Sequence, residues 1–129
     1  LTSKAIFDSE KDLHTTQTGN PVCCAAALAT LEVIEEEHLL QKAVRISEVI
    51  QAYFQGASGR GAIRALHFQN NGIYNIELVD RIVAKAAEKG LLLLRTHRGT
   101  IKIAPPLTTP LNFVEQGCQI LREAIRDVI

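Results

Sequence analysis

The sequence predicts an α+β fold, with helices packed on one side of a short antiparallel or mixed sheet of about three strands. Two observations predict it. Several segments place apolar residues at three- and four-residue steps, which is the period of an amphipathic helix. Short apolar runs bounded by glycine or proline lie between those segments and read as strands. The 129 residues suit one domain of this kind.

The first long helix is predicted to begin at Pro21, behind a short helical candidate at residues 4–9 and a hydroxyl-rich turn. Asn20 is a preferred N-cap, and proline is favoured at the first helical position because its missing N–H has no partner there. A helix start behind several hydroxyls can also hold an anion, so capping and anion binding both remain open. One apolar stripe follows the helix at Cys23, Ala27, Leu31 and Ile34.

A charged stretch at residues 35–38 predicts a bend, after which a second helix runs from Leu39 and ends before Gly56. Residues 56–61 form a turn-rich stretch before a strand at residues 62–68 and a loop at residues 69–72. The Gly59-Arg60-Gly61 tripeptide lacks the helix that must follow a phosphate-binding loop. We therefore do not expect a phosphate-binding loop here.

The C-terminal half predicts helix, strand, strand and helix. Two apolar rows from Leu78 to Ala87 indicate a helix that Gly90 ends as its C′ residue. The short, continuously apolar run at residues 91–95 predicts a buried strand, and residues 97–99 form a hairpin turn into a second strand at residues 100–103. The last helix spans about residues 111–128, with apolar positions at Phe113, Gly117, Ile120, Leu121, Ala124 and Val128.

The charge balance excludes several classes of protein. Lysine plus arginine and aspartate plus glutamate each number 14, and the absence of a basic cluster argues against a nucleic-acid surface. No apolar run approaches the roughly 20 residues that cross a bilayer. The N-terminus lacks the pattern of a signal peptide. We expect a cytoplasmic protein that binds neither nucleic acid nor membrane.

The cysteines and histidines do not predict a metal or nucleophilic site. Cys23, Cys24 and Cys118 are odd in number and show no C-x-x-C spacing, so we expect buried, reduced thiols. The four histidines have no metal-ligand spacing, so we expect no zinc site. No constellation of serine, cysteine and histidine indicates nucleophilic catalysis, and we assign no catalytic residue within this chain.

Two segments together resemble a known family. The stretch HTTQTGNP at residues 14–21 leads into an alanine-rich helix, and KIAPPL at residues 102–107 follows the GLLLL run at residues 90–94. In this order they resemble the class III aminotransferases of the ornithine, acetylornithine and 4-aminobutyrate type, in which H-x-T-x-x-G-N-P precedes an alanine-rich helix and (R/K)-x-x-P-P-L follows a G-L-L-L strand. The resemblance covers nearly the whole chain, from about Leu1 to Ile129.

The resemblance implies a fold and a domain organisation. The fold is the small C-terminal domain of a fold type I pyridoxal-phosphate transferase. Residues 1–20 would form a connecting segment and a cofactor-phosphate turn. Residues 21–129 would form the small domain with its long leading helices, the first of which lies near the subunit interface in this family.

The implied activity is transfer of an amino group between an amine or amino acid and a 2-oxo acid by a homodimer that uses pyridoxal 5'-phosphate. Family members hold the cofactor on a lysine well upstream of the T-x-x-G-N-P turn, whereas only Lys4 and Lys11 precede Thr16 here, and the chain has no methionine. We therefore expect the C-terminal portion of a longer enzyme. Alone, it should neither hold the cofactor nor transaminate.

Three residues match the family's site positions. Thr16 occupies the position whose hydroxyl reaches the cofactor phosphate of the neighbouring subunit, with Thr15 as the weaker candidate and a turn-capping role as the alternative. Lys102 stands where many members carry an arginine for the substrate α-carboxylate. A lysine offers one compact charge instead of a bidentate fork. This difference allows a substrate without an α-carboxylate, a different acid group, or a lysine that touches no ligand.

Two alternatives remain at this stage. The chain could be a stand-alone, non-catalytic binding or assembly module, which a start codon next to Leu1 would favour over an upstream frame encoding the lysine. It could also come from a racemase, decarboxylase or lyase of the same family.

Overall fold

The computed structural model of this chain describes residues 19–70 and 72–129. The chain divides into two compact units, Leu1–Glu37 and His38–Ile129. The described part of the first unit contains helix α1, Pro21–Glu36. The second unit contains three helices and six short strands within its described residues. None of the helices described is long and apolar enough to cross a membrane.

Helix α1 begins where the capping signal predicts. The Asn20 side-chain oxygen accepts from the backbone N–H groups of Val22 and Cys23 at 3.0 and 3.3 Å, and proline occupies the first turn. The helix ends at Glu36, beside the charged stretch that predicts a bend. No residue of α1 is buried. The apolar stripe of this helix is therefore not covered by other described residues.

Helix α2, Leu39–Tyr53, packs one apolar face into the core. Its N-cap residue, His38, adopts a left-handed conformation with φ of 51°. Leu39, Ile46 and Ile50 are buried. The helix stops at Tyr53, before the glycine-containing turn, as predicted.

The main sheet has four antiparallel strands in the order β1-β2-β6-β5: β1, Ser58–Arg60, β2, Ile63–His67, β5, Leu94–Arg95, and β6, Thr100–Ile103. The expected strand at residues 62–68 and the hairpin into residues 100–103 are therefore confirmed. The expected loop at residues 69–72 differs from the structure in its first half. Residues Gln69–Asn70 form strand β3, which pairs with strand β4, Ile73–Tyr74.

Two further helices complete the core. Helix α3, Ile76–Glu88, is capped by the Asn75 side chain, which accepts from Leu78 N–H at 3.0 Å, and it stops just before Gly90, which has a φ of +90°. Helix α4, Leu111–Val128, spans the predicted residues. The largest fully buried side chains come from α2, α3, β6 and α4 and belong to one cluster: Ile46, Ile50, Val79, Ile82, Ile101 and Leu121.

The prediction of a buried strand at residues 91–95 is wrong in two respects. Only Leu94 and Arg95 pair as a strand, and both are exposed. The Leu91 N–H donates to the Ala86 carbonyl at 2.9 Å, so this residue still closes helix α3 rather than entering the sheet. Leu92 and Leu94 stay 87% and 75% exposed, whereas Leu91 and Leu93, which alternate with them, are partly buried against the core. Phe113, expected on the apolar face of α4, is also exposed.

Candidate functional site

The main sheet has one face covered by helices and one open face. Along a strand, successive side chains point to opposite faces, and Leu66 and Ile101 are buried in the helix-packed core. Their neighbours in β2 and β6 therefore point the other way. The open face carries Ser58, Ala65, His67, Thr100, Lys102 and Leu94, and of these Thr100 is buried. It collects the polar side chains that the sheet brings together from separate segments.

Lys102 lies on the central strand β6, opposite Ala65 on one side and Leu94 on the other. Its side chain is exposed. Within the described part of the chain it makes no hydrogen bond or ion pair, whereas Lys85 and Lys89 pair with carboxylates. The structure thus places this candidate substrate residue on the open face, without a charged partner among the described residues.

A hydrogen-bonded chain of three side chains lies beside Lys102. The Ser58 hydroxyl lies 2.7 Å from His67 Nε2, and the Thr100 hydroxyl lies 3.1 Å from His67 Nδ1. The imidazole therefore links the edge strand β1 to β6 across β2. Sequence reasoning missed this group because its members are 9 and 33 residues from the histidine. Only the strand register brings them together.

Arg64 is a buried cation on the helix side of β2, with 9% of its surface exposed. Its terminal nitrogens donate to the Gly59 carbonyl at 2.9 Å and to the Ser47 hydroxyl. With its carboxamide oxygen turned inward, Gln51 accepts from both at 3.2 Å. Nε alone lacks a partner among the described atoms. These bonds tie α2 to β1 and give Arg64 a structural role.

The start of helix α1 shows how Asn20 caps it. The Asn20 side-chain oxygen accepts hydrogen bonds from the backbone N–H groups of Val22 and Cys23. The Cys24 N–H donates to the Asn20 carbonyl at 2.9 Å. These donors are therefore not available to an anion, and the described residues support the capping role. Thr15 and Thr16 lie outside the described residues.

The cysteines differ from the expectation in two of three cases. Cys118 is buried, and burial, together with the nearby Glu115 carboxylate, raises the pKa of its thiol to about 11. Cys23 and Cys24 are exposed on α1, which corrects the prediction that all three are buried. The reason is the uncovered stripe of α1. Within residues 19–70 and 72–129, no three histidine, cysteine or acidic side chains cluster as metal ligands.

The lysines described here do not fit the role of the family's cofactor-binding lysine. A lysine that attacks a carbonyl must be available as the neutral amine, which desolvation or a nearby cation favours. Lys42 instead donates to the Thr108 carbonyl at 2.8 Å, and Lys102 is exposed. Lys85 bonds Glu88, which raises its pKa.

Comparison with known proteins gives a consistent result. Residues 4–125 match the family model described as aminotransferase class-III. The 5-aminovalerate aminotransferase DavT of Pseudomonas putida is 33% identical over 127 residues, which cover 88% of this chain and 30% of the relative. An alanine/serine racemase of Pyrococcus horikoshii is 32% identical over 127 residues, covering 88% and 27%. The chain thus spans about 30% of the length of such relatives.

The fold is also shared with solved structures. An amine transaminase from an uncultivated Pseudomonas species, solved with pyridoxal phosphate bound, superposes with a TM-score of 0.84 at 24% identity. The superposition covers 100% of this chain and 34% of that one. The α+β architecture expected for this part of a fold type I transferase is therefore confirmed.

Proposed function

Because this chain belongs to the class III aminotransferase family, we propose that it works as the C-terminal part of a pyridoxal-phosphate-dependent aminotransferase. The enzyme would transfer an amino group between an amine or amino acid and a 2-oxo acid. The family match over residues 4–125 is the observation that carries the proposal. Residues 1–20 would act as the connecting segment and phosphate turn, and residues 21–129 as the small domain.

The cofactor would supply the electron sink of the reaction, while protein groups position it. From this chain, the Thr16 hydroxyl would donate to the cofactor phosphate of the neighbouring subunit, with Thr15 as the weaker candidate. A hydroxyl suits this contact because it donates a hydrogen bond without adding a charge. A contact across subunits requires a homodimer, which we propose as the active form. We also propose a cytoplasmic location.

Lys102 would bind the acid group of a substrate. Its place on the open face and its lack of a partner among the described residues support this role. An ammonium makes a point contact with a carboxylate, whereas a guanidinium donates two parallel hydrogen bonds. The lysine therefore favours an acid group that is held by one contact, in place of the α-carboxylate that the family's arginine binds with two hydrogen bonds.

The test of this proposal uses the purified protein in the form its source organism makes. Amino transfer from 5-aminovalerate to a 2-oxo acid, with the near-visible absorbance of bound cofactor, is the expected result. Lys102→Ala should raise KM for the acid substrate about tenfold with little change in kcat, because it removes a contact made equally before and during reaction. Loss of kcat alone, or no cofactor absorbance in the wild type, contradicts the proposal.

A racemase of the same family is the second candidate, favoured by the 32% identity to the alanine/serine racemase. A racemase inverts an amino acid without consuming a 2-oxo acid. Measuring the chirality of L-alanine with and without an added 2-oxo acid therefore separates the two. The 129 residues alone should show neither activity.

A further inference from the structure

The hydrogen-bonded chain of Ser58, His67 and Thr100 has no part in the amino transfer proposed above. We call these three residues the serine site. The Ser58 hydroxyl lies 2.7 Å from His67 Nε2, and the second ring nitrogen, Nδ1, lies 3.1 Å from the Thr100 hydroxyl. A hydroxyl within hydrogen-bond reach of an imidazole, whose other nitrogen is held by a third group, is the arrangement that activates a serine nucleophile.

The serine site is open to solvent at its reactive end and fixed at the other end. Ser58 and His67 are exposed, whereas Thr100 is buried. Strand register holds the three residues in place, since Thr100 pairs with His67 and Ser58 pairs with Ala65, the residue two before His67 on β2. A molecule in solution can therefore reach the Ser58 oxygen, while the group that orients the imidazole is held by packing.

The backbone next to Ser58 supplies a hydrogen-bond donor for a developing negative charge. A two-residue turn joins β1 to β2, so the pair that flanks the turn closes the ladder. The next pair, Gly59 and Arg64, then directs its backbone N–H and C=O groups away from the partner strand. The Gly59 carbonyl accepts from the Arg64 guanidinium at 2.9 Å, which agrees with that direction. Because β1 lies at the sheet edge, the Gly59 N–H faces outward, directly after Ser58 in the chain. The N–H that follows a nucleophilic serine is a typical oxyanion donor.

We propose that the serine site hydrolyses small activated acyl esters, with Ser58 as nucleophile and His67 as general base. The Ser58 oxygen bonds to the ester carbonyl carbon while its proton passes to His67 Nε2. The bond from that carbon to the leaving oxygen then breaks, and the leaving oxygen takes the proton. Water attacks the acyl group on Ser58 in the same way, which releases the acid and restores the serine. Thr100 is a positioning residue that accepts from the imidazole Nδ1–H. The reaction needs no cofactor.

The first test is covalent labelling of the purified protein, in the form its source organism makes, with a fluorophosphonate. The serine oxygen bonds to phosphorus, fluoride leaves, and mass spectrometry of the peptides locates the phosphonyl group. We expect a single label, on the peptide that contains Ser58. His67→Gln should slow the labelling about a hundredfold, because the general base is lost. His97→Gln, which replaces another exposed histidine, is the matched control and should leave the labelling rate unchanged.

The second test is the hydrolysis of p-nitrophenyl acetate by the same protein. Ser58→Ala should lower kcat/KM about a hundredfold, because the nucleophile is lost. Thr100→Val should lower kcat about tenfold with little change in KM, because the imidazole loses the hydrogen bond that orients it, and Thr100→Ser should restore kcat. A purely structural role of Thr100 would lower the unfolding midpoint of the valine variant without this separation of kcat from KM.

Three results would overturn the inference: no label on Ser58 in the unaltered protein, equal labelling rates in His67→Gln and His97→Gln, or ester hydrolysis that Ser58→Ala leaves unchanged. Neither test requires pyridoxal phosphate or a 2-oxo acid. Amino transfer without labelling of Ser58 therefore rejects only the serine site, and labelling without amino transfer rejects only the proposed aminotransferase.

Discussion

Gly59→Ala should be among the most damaging single-methyl additions in this chain. Gly59 has a φ of +120°, a conformation that side-chain-bearing residues rarely adopt. An added Cβ would overlap the Ile63 carbonyl oxygen and lie 3.2 Å from Arg64 Cα, both of which belong to the paired backbone of β2. Because these are backbone atoms, the β1–β2 pair must shift to relieve the overlap.

The expected loss can be worked from these two effects. A residue forced into such a conformation costs roughly 1–3 kcal/mol. Forcing extra volume into a packed region costs roughly 1–3 kcal/mol more. A displaced turn would also weaken the 2.9 Å bond from Arg64 to the Gly59 carbonyl. We expect a total loss of about 4 kcal/mol in the free energy of unfolding.

Gly61→Ala is the matched control for this prediction. Gly61 also has a positive φ, +55°, but its added Cβ would meet only the Ala43 Cβ at 3.9 Å. Only the left-handed conformation then opposes the substitution, at about 1 kcal/mol. Urea denaturation of both variants gives the two losses. Equal losses, or a larger loss at Gly61 than at Gly59, would refute the close approach of Gly59 to the β2 backbone.

Three further predictions concern other parts of the chain. Gly117→Ala should stabilise the protein by about 0.5–1 kcal/mol in thermal or urea unfolding, because alanine favours the helix more than glycine does. The added Cβ would meet only Leu91 Cδ1, at 3.6 Å, and a loss of stability would contradict this open packing. The buried Cys118 thiol should destabilise the fold as pH rises from 9.0 towards about 11, since its pKa is raised in the folded state, and Cys118→Ala should remove that part of the pH dependence of unfolding. Asn20→Ala should lower the stability of helix α1 by about 1 kcal/mol and speed hydrogen exchange at the Val22 amide. Unchanged exchange at this amide would argue against the cap.

Local signals explain how much of the fold the sequence predicts. Asn20 and Pro21 mark the start of α1 because they satisfy or avoid unpaired N–H groups, and Gly90 marks the stop after α3 because it adopts a positive φ. Such effects act within a few residues of one another. The helix boundaries are therefore predicted almost to the residue, and the α+β class follows from them.

Long-range pairing explains what the sequence does not predict. The chain from Ser58 through His67 to Thr100 exists only because β1, β2 and β6 align in one register, which no local pattern encodes. Periodicity likewise identifies the apolar stripe of α1 without telling what covers it. The run at residues 91–95 is apolar enough for a core strand, yet only Leu91 and Leu93 pack against the core, and Leu92 and Leu94 are exposed.

The central claim is that this chain contributes a phosphate contact to a pyridoxal-phosphate site. The most direct test is the affinity of the protein, in the form its source organism makes, for pyridoxal 5'-phosphate in Thr16→Val and, as a control two residues away, Thr18→Val. The account predicts a cofactor affinity about tenfold weaker in Thr16→Val, because a hydrogen bond to a charged group is lost, and unchanged in Thr18→Val. Equal affinities in the two variants, or no cofactor binding by the unaltered protein, would contradict it.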